Sequence, residues 1–494
     1  MGVIQRQGFK AGLWMYSGVL LGFLNGMILY PRILGTEVYG YIQWLFATVM
    51  VLSSFSGLGI KAGLVRYFPA FRNSENGHEG FLSINLLIAN AGLLLTLLIL
   101  WLGQDVFMSV FRSPENEKYL EANYWLLPAL LVLIVYFDVL SAYLAALLRP
   151  SITQFFKDLV ARLITTLLIL LFYWGIITEE LFIQLIVGKQ LLLILASYWY
   201  LRRMGEWKLR INWSAFPRAK LLEMGNYNLF NLLSGVGSQL INRIDSIMIP
   251  AILTFSENGI YSIYYFITTI IIMPYEAVRQ IVTPLIAEAW NQNDQQQIKT
   301  IYRRTARAAT AVALLIFIGI AANLDNAVLL IGPEIATGKM VAIWLGLGQL
   351  TYCVSGYNVT ILSLSERFRW DLLVKFLSVV LTITTNYFFI HAYGIVGAAI
   401  ATATTIVLTN GVYQYLIWRY FRMHPFSWQL VGLLFLAVLV FGGQYFWPPL
   451  PAHFLVDMVV RSLAITVAFV GSVWLFNLVP ELRDAVKNLP FWKD

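Results

Sequence analysis

The sequence predicts an all-α polytopic membrane protein with about fourteen transmembrane helices. Two parallel six-helix repeats would form two lobes, followed by two extra C-terminal helices. Three observations predict this fold: the composition, the spacing of apolar segments and an internal repeat. Of the 494 residues, 59% are hydrophobic and 12% are charged, whereas soluble domains carry about 25% charged residues. This composition excludes a soluble globular enzyme.

Apolar segments recur along the chain, each close to the roughly 20 residues that a helix needs to cross a bilayer. The predicted spans are residues 11–31, 41–63, 80–103, 121–147, 156–177, 181–201, 225–253, 258–284, 302–324, 338–363, 370–391, 395–419, 428–447 and 458–478. The single Cys excludes a disulfide framework, and the four His are scattered. We therefore expect no metal site and no cofactor.

The distribution of Lys and Arg predicts the orientation, because cytoplasmic flanks retain positive charge during insertion. With a cytoplasmic N-terminus, most of the 34 basic residues lie on inner flanks. The outer flanks hold Arg32, Arg112, Lys118, Lys339 and Arg461. We therefore expect a multi-pass membrane protein with both termini in the cytoplasm.

An internal repeat appears at an offset of 219 residues, the spacing from Gly18 to Gly237. Residues that break helices or sit at membrane interfaces recur at this offset. The matching pairs include Pro31 and Pro250, Gly40 and Gly259, Pro114 and Pro333, Trp125 and Trp344, Gly175 and Gly394, and Trp199 and Trp418. Because six helices return the chain to the same side, the repeats are parallel, and a substrate path is expected between the halves.

The repeat and the charge pattern divide the chain into predicted domains. They are an N-lobe (1–205), a basic cytoplasmic linker (206–223), a C-lobe (224–425), helices thirteen and fourteen (426–479) and an amphipathic cytoplasmic tail (480–494). The linker mixes basic residues with Trp207, Trp213 and Phe216. This mixture is typical of the headgroup layer, so we expect membrane lipids rather than nucleic acid as its partner.

Ionisable residues inside the predicted spans are the candidate functional residues, because a charge at the bilayer centre costs about 2.5 to 3.5 kcal/mol. They are Asp138, Lys189, Arg243, Asp245, Glu276 and Arg279. Glu276 and Arg279 are three residues apart and can pair with each other. Arg243 and Asp245 point to different sides of their helix, so each needs another partner or water.

These residues suit two kinds of chemistry. Arg243 could bind a phosphate in a cavity, because guanidinium matches phosphate geometry. An ion pair that locks two helices is the alternative. Arg279 and Lys189 are weaker candidates, and Lys189 could instead extend toward the membrane interface. Asp245, Asp138 and Glu276 are candidate ion-coupling sites, since a carboxylate in a low-dielectric cavity can couple protonation to conformation. Interhelical hydrogen bonding is their alternative role.

Short motifs in both repeats resemble those of bacterial polysaccharide transporters, the oligosaccharide flippases of the multidrug/oligosaccharidyl-lipid/polysaccharide exporter superfamily. In the first repeat they are Leu34-Gly35, Tyr39-Gly40, Gly57-Leu58-Gly59 and Leu64-Val65-Arg66-Tyr67. In the second repeat they are Asn242-Arg243-Ile244-Asp245, Glu257-Asn258-Gly259-Ile260-Tyr261 and the run from Tyr393 to Ala401. The resemblance spans most of the chain.

The resemblance implies a two-lobed exporter, not an enzyme, that moves an undecaprenyl-diphosphate-linked oligosaccharide to the outer leaflet by alternating access. It implies H⁺ or Na⁺ as the coupling ion, if transport is coupled, and glycan polymerase or assembly proteins as further partners. No ATP-binding G-x-x-x-x-G-K-[ST] motif occurs. Two alternatives stay open: an organic-cation (multidrug) antiporter, which would favour acids over bases in its spans, and a membrane enzyme of surface-glycan assembly, which would need larger outward loops.

Overall fold

The computed structural model describes Trp14 and residues 17–73, 76–446 and 453–481. Throughout these ranges the chain is helical and has no β-strand, which confirms the all-α fold. The chain forms two compact units, residues 1–259 and 260–494. Each unit is described by itself below.

The first unit begins with a helical stretch from Ser17 that passes through a π-helical turn, Leu24–Leu29. Its α-helices are α1 Tyr30–Ser56, α2 Ile60–Phe71, α3 Phe81–Leu102, α4 Gln104–Phe111, α5 Pro114–Asn123, α6 Leu126–Ala146, α7 Pro150–Gln154, α8 Ala161–Tyr173, α9 Glu179–Arg203 and α10 Arg218–Ile252. A second π-helical turn, Phe155–Val160, joins α7 to α8. Two 3₁₀ turns, His78–Gly80 and Trp213–Ala215, precede α3 and α10.

The second unit begins at Ile260, within the long helix α11, Phe255–Asn291. The following helices are α12 Gln295–Ala322, α13 Leu324–Ile331, α14 Lys339–Ser355, α15 Asn358–Ser363, α16 Arg369–Phe421, α17 Trp428–Tyr445 and α18 Phe454–Leu475. A 3₁₀ turn, Pro333–Gly338, separates α13 from α14.

Eight helices in the described ranges are long and apolar enough to cross a membrane. They are Ser17–Ser56, His78–Leu102, Leu126–Ala146, Glu179–Arg203, Phe255–Asn291, Gln295–Ala322, Arg369–Phe421 and Phe454–Leu475. The chain is therefore a multi-pass membrane protein. The total of fourteen spans stays a prediction.

Two of these eight helices are too long for a single crossing and contain a glycine break. Arg369–Phe421 has 53 residues, about 80 Å at 1.5 Å per residue, against a bilayer core of about 30 Å. Gly394 interrupts it with φ 58° and ψ −140°, and Gly35 interrupts Ser17–Ser56 with φ 80°. Both breaks fall between two predicted spans, as the pattern of apolar segments requires.

Residues related by the repeat have the same local structure. Gly175 and Gly394 both adopt positive φ, at 69° and 58°. Pro114 and Pro333 each occupy the start of a helical turn, where a missing N–H costs little. At these positions the two repeats therefore have the same turns and helix starts, as the aligned glycines and prolines predict.

Helix α10 packs against α1 and α2 of the first unit. A side chain at Gly59 or Gly63 would overlap Asn228 of α10, so these two glycines permit the close approach of the backbones. For this reason the compact units divide after Gly259 and not in the basic linker. The predicted lobes, 1–205 and 224–425, describe a sequence repeat and stay a prediction.

The basic linker is attached to the end of the first unit that carries the turn before α3. The side-chain amide of Asn212 donates to a Glu79 carboxylate oxygen at 2.6 Å, and its backbone N–H donates to the Glu79 carbonyl at 3.1 Å. Phe216 stacks on Phe71 with ring centroids 4.7 Å apart. Leu209 and Trp213 stay exposed, so the linker keeps apolar surface for contact with lipid.

The two C-terminal helices pack against α12 in the second unit. Asp457 of α18 is 4% exposed; it pairs with Arg461 at 3.3 Å and accepts from Asn326 at 2.7 Å. Polar groups therefore fasten α18 to the unit, a function for these helices that the sequence did not state. The predicted amphipathic tail, from residue 482 onwards, lies outside the described residues.

Candidate functional site

Lys189 lies on α9 of the first unit, where it faces α8 and α1. Its Nζ donates to Thr165 Oγ1 at 2.6 Å and lies 5.8 Å from the centroid of the Phe46 ring. The ammonium group is thus held between three helices, although the side chain remains half-buried. No carboxylate within the described ranges forms an ion pair with it.

Arg162 is a second cation next to Lys189, and sequence analysis did not select it. Its guanidinium donates to the backbone carbonyl of Gly18, and it is close enough to act electrostatically on Lys189. Gly22 leaves the space, because any side chain there would overlap the guanidinium. Its position near the start of the predicted span 156–177 is typical of a flanking charge, yet Arg162 lies six residues inside that span.

Two π-helical turns shape this region. Asn25, in the turn Leu24–Leu29, is 4% exposed; its amide donates to the Arg162 carbonyl at 3.0 Å and accepts from Thr166 Oγ1 at 2.8 Å. Asp158, in the second turn, interacts electrostatically with Arg162. Since π-helical turns insert an extra residue and are frequent at functional sites, they mark Arg162 as a positioned group.

Arg243 lies on α10 and approaches the same helix α1 that Lys189 meets. Its charge acts on the hydroxyl of Tyr39. Tyr39 and Phe46 are seven residues apart and share one face of α1, about 10 Å apart along the axis. Arg162, Lys189 and Arg243, here called the cation group, therefore belong to one region of the first unit.

Arg243 is half-buried, and no hydrogen bond or ion pair to it is found among the described residues. The helix-locking ion pair considered for Arg243 is thus not present within that part of the chain. Asp245, two residues further, is 7% exposed. The two side chains differ in burial as their separation around the helix predicts.

Asp138 does not stand alone in α6. Its carboxylate pairs with Lys61 of α2 at 2.6 Å. The pair joins α2 to α6, so an interhelical role explains this half-buried charge without an ion. The contact was not predictable from local spacing, because 77 residues separate Lys61 from Asp138.

Glu276 and Arg279 form the ion pair that their spacing predicts, at 2.6 Å on α11. This pair lies in the second unit. Its charges are neutralised along one helix, so neither group depends on a partner from another element. The prediction of the pairing is confirmed; the roles of the two residues in binding or coupling stay predictions.

A further acidic residue, missed by sequence analysis, lies in the second unit. Asp371 is buried at the start of α16, pairs with Lys375 at 2.7 Å and accepts from the Tyr413 hydroxyl at 2.7 Å. The spacing of four residues between Asp371 and Lys375 was the available signal. Because these contacts satisfy the carboxylate, Asp371 stabilises the unit.

Comparison with known proteins places the cation group in a family context. The family model described as "Polysaccharide biosynthesis protein" matches residues 11–290, more than half of the chain. The chain belongs to the polysaccharide biosynthesis protein family. The match includes Arg162, Lys189 and Arg243, and it confirms the resemblance drawn from the short motifs.

A curated relative of this polysaccharide biosynthesis protein is the "Probable low-salt glycan biosynthesis flippase Agl15" of Haloferax volcanii. The two are 25% identical over 228 residues, 44% of this chain and 47% of the relative. The chain thus matches about half the length of that relative.

Solved structures show the fold. The lipid II flippase MurJ in an inward closed conformation has a TM-score of 0.68, with 13% identity over 95% of this chain and 99% of MurJ. An inward-facing multidrug resistance MATE family transporter of the MOP superfamily has a TM-score of 0.62, with 13% identity over 82% of this chain and 94% of the transporter. The polysaccharide biosynthesis protein therefore has the fold shared by these two transporters.

Proposed function

We propose that this protein is a flippase that moves an undecaprenyl-diphosphate-linked oligosaccharide from the cytoplasmic to the outer leaflet of the inner membrane by alternating access. The observation that carries the proposal is the cation group, Arg162, Lys189 and Arg243, inside the first unit of a member of this family. Arg162 and Lys189 approach each other, and although the Asp158 carboxylate acts on Arg162, the three cations leave an excess of positive charge that favours an anionic ligand.

The chemistry of a diphosphate fits this group. Guanidinium groups present paired donors to phosphate oxygens and lose their hydration more easily than an ammonium. Arg243 has no hydrogen-bonding partner within the described part of the chain, so its donors are available. We propose Arg243 as the main diphosphate contact, with Lys189, which lies along the same helix α1, and its neighbour Arg162 as further contacts. Arg279 remains a weaker candidate because Glu276 neutralises it.

The coupling carboxylate in this proposal is Asp245, which is buried on the same helix as Arg243. Asp138 and Glu276, the other candidate carboxylates, pair with Lys61 and Arg279; unlike either of them, Asp245 shares its helix with Arg243. Binding of H⁺ or Na⁺ at Asp245 would couple the gradient of that ion to the conformational change. Glycan polymerase and assembly proteins are the proposed partners that receive the product.

An organic-cation antiporter is the second candidate, since a MATE family transporter has a similar fold. The cation group argues against it, because a positive substrate would be repelled by Arg162, Lys189 and Arg243. A membrane enzyme is the third. The described outer helices α4 and α5 are short, and the matched relative is named as a flippase.

A reconstituted assay tests the proposal. Full-length protein in liposomes is given a fluorescent undecaprenyl-diphosphate oligosaccharide, and an impermeant quencher reports its arrival in the other leaflet. We expect Arg243→Ala to slow the initial rate about tenfold or more, the effect of one lost charged hydrogen bond. Arg218→Ala, at the exposed start of the same helix, is the matched control and should keep the rate.

Two results would contradict the proposal. One is transfer by the unaltered protein no faster than in protein-free liposomes. The other is an equal rate in Arg243→Ala and the control. Export of an organic cation such as ethidium, without transfer of the lipid-linked sugar, would favour the antiporter instead.

A further inference from the structure

A polar cavity of about 470 Å³ lies in the first unit beside helices α4 and α5. Its polar lining consists of Gln104, Asp105, Ser109, Arg112, Glu117 and Glu121, and the ring of Tyr124 adds an aromatic wall. These residues occupy the connection between α3 and α6, which the distribution of Lys and Arg places on the outer side of the membrane. The cavity is separate in sequence from every member of the cation group.

Ion pairs connect the charged side chains that line the cavity. Arg112 contacts Glu117 at 2.6 Å and Glu121 at 3.4 Å, and its Nε donates to Glu117 at 2.8 Å. Tyr124 donates its hydroxyl to the Leu100 carbonyl at 3.0 Å, so the ring is also held in place. The contacts with Glu117 raise the pKa of Arg112, which keeps the guanidinium charged. These contacts favour one arrangement of the charged groups, although Arg112 and Glu121 stay exposed.

Other groups in the cavity have donors and acceptors to spare. The side chains of Gln104 and Asp105 form no hydrogen bond within the part of the chain that the structure describes. The lining thus combines carboxylate acceptors, amide and guanidinium donors, a hydroxyl and one aromatic ring. Hydroxyl-rich ligands are recognised by such a mixture, because each sugar hydroxyl both donates and accepts.

The charge of the cavity narrows the class of ligand. Three carboxylates, of Asp105, Glu117 and Glu121, face one guanidinium, so the formal charge of these groups is 1 − 3 = −2. An acidic sugar would be repelled. A metal ion is not favoured either, since the described residues contain no group of three His, Cys, Asp or Glu able to hold one.

We propose that this cavity is a second binding site, which receives uncharged sugar residues of the glycan on the outer side of the membrane. The identity of the ligand as a transported glycan rests on the proposed function; the preference for neutral sugars rests on the cavity itself. Such a site would hold the head of the substrate away from the entry side after transfer, and so oppose its return.

Saturation-transfer NMR on the full chain in nanodiscs tests this proposal. The probes are N,N′-diacetylchitobiose as the neutral sugar and digalacturonate as the acidic one. We expect transfer to the neutral probe and at least about tenfold weaker binding of the acidic probe. Asp105→Asn combined with Glu121→Gln should weaken the neutral probe about tenfold, because two charged acceptors are lost. Glu115→Gln, on α5 outside the cavity, is the matched control and should bind as the unaltered protein does.

A second variant guards against loss of structure. Ser109→Trp fills the cavity while removing only a local bond to the Val106 carbonyl, and it should also abolish binding of the neutral probe. No signal from the neutral probe, an equal signal from digalacturonate, or full binding in both cavity variants would overturn the proposal. Sugar binding without flippase activity would overturn only the proposed function, whereas flippase activity without sugar binding would overturn only this site.

Discussion

Gly40 and Gly259, which occupy equivalent positions in the two repeats, pack directly against each other within the first unit. A side chain on Gly40 would come within 2.6 Å of the Gly259 nitrogen and would overlap the Phe255 carbonyl, and one on Gly259 would overlap the Thr36 carbonyl. The Asn258 amide donates to the Gly40 carbonyl at 2.8 Å across the same contact. The repeat therefore places one small residue on each side of a single close approach.

This contact predicts that Gly40→Val and Gly259→Val each destabilise the protein by several kcal/mol, because overpacking adds to the loss of backbone contact. Detergent-solubilised protein, followed by fluorescence-detected gel filtration after heating, measures the effect. Gly235→Ala is the control, since the site has open space around it and Ala favours helix. Equal melting of Gly40→Val and the control would contradict the proposed importance of the contact.

Arg162 provides a test of the cation group that sequence analysis could not have designed. Arg162→Ala should slow transfer of the lipid-linked sugar about tenfold or more, because it removes a cation next to Lys189. Arg162→Lys should recover part of the rate, since charge returns without the paired donors. The exposed Arg149→Ala is the control, and the liposome assay gives all three rates. A normal rate in Arg162→Ala would remove this residue from the site.

The sequence predicted what depends on local spacing. The pairing of Glu276 with Arg279 follows from their spacing of three residues on one helix. The break at Gly394 follows from an apolar run that is far longer than one span. The fold class follows from composition and the repeat. Each of these needs no knowledge of which helices are neighbours.

Contacts between distant residues could not be predicted in this way. Lys61 contacts Asp138 because α2 packs on α6, and no sequence pattern around either residue indicates that packing. Arg162 was missed because a π-helical turn, Phe155–Val160, precedes its helix, and flank counting treats the first turns of a span as surface. Local sequence indicates where a span begins and ends, but it does not indicate which distant helices pack together.

The Lys61–Asp138 pair predicts a distinct pattern in a double-mutant cycle. Lys61→Ala should destabilise the protein because it leaves the partly buried Asp138 carboxylate uncompensated, and Asp138→Ala should destabilise it less because Lys61 is exposed. The double variant should lose less than their sum, with a coupling of about 1 kcal/mol, since Lys61 is 56% exposed. Urea unfolding in detergent supplies the free energies. Zero coupling would show that the pair contributes no interaction.

The same cycle separates structure from ion coupling. If the carboxylate of Asp138 only pairs with Lys61, the double variant should transport lipid-linked sugar at close to the normal rate. Asp245→Asn, at the proposed coupling carboxylate, should instead slow transport in a pH gradient or a Na⁺ gradient. Complete loss of transport in the double variant would return Asp138 to the coupling site.

His424, in the connection between α16 and α17, predicts a pH dependence of stability. Arg303 Nη2 lies 3.0 Å from the His424 Nε2. Since guanidinium only donates, Nε2 accepts this hydrogen bond and the ring is neutral. Burial lowers the pKa of His424, and the positive charges of Arg303 and Lys299 lower it further. The folded protein therefore binds its proton less readily than the unfolded chain does.

The sign of the effect follows from that lowered pKa. The stabilisation is fully present above the ordinary His value of about 6.5 and is lost as the pH falls through the lower folded pKa. The melting temperature in detergent should thus fall between pH 7.5 and pH 5. Over the same range, the protection of the amides of residues 422–427 against hydrogen exchange, relative to an unstructured peptide at the same pH, should decrease. His424→Gln keeps an acceptor but cannot titrate, so its local protection should not show this decrease; the same decrease in this variant would assign the effect to another group.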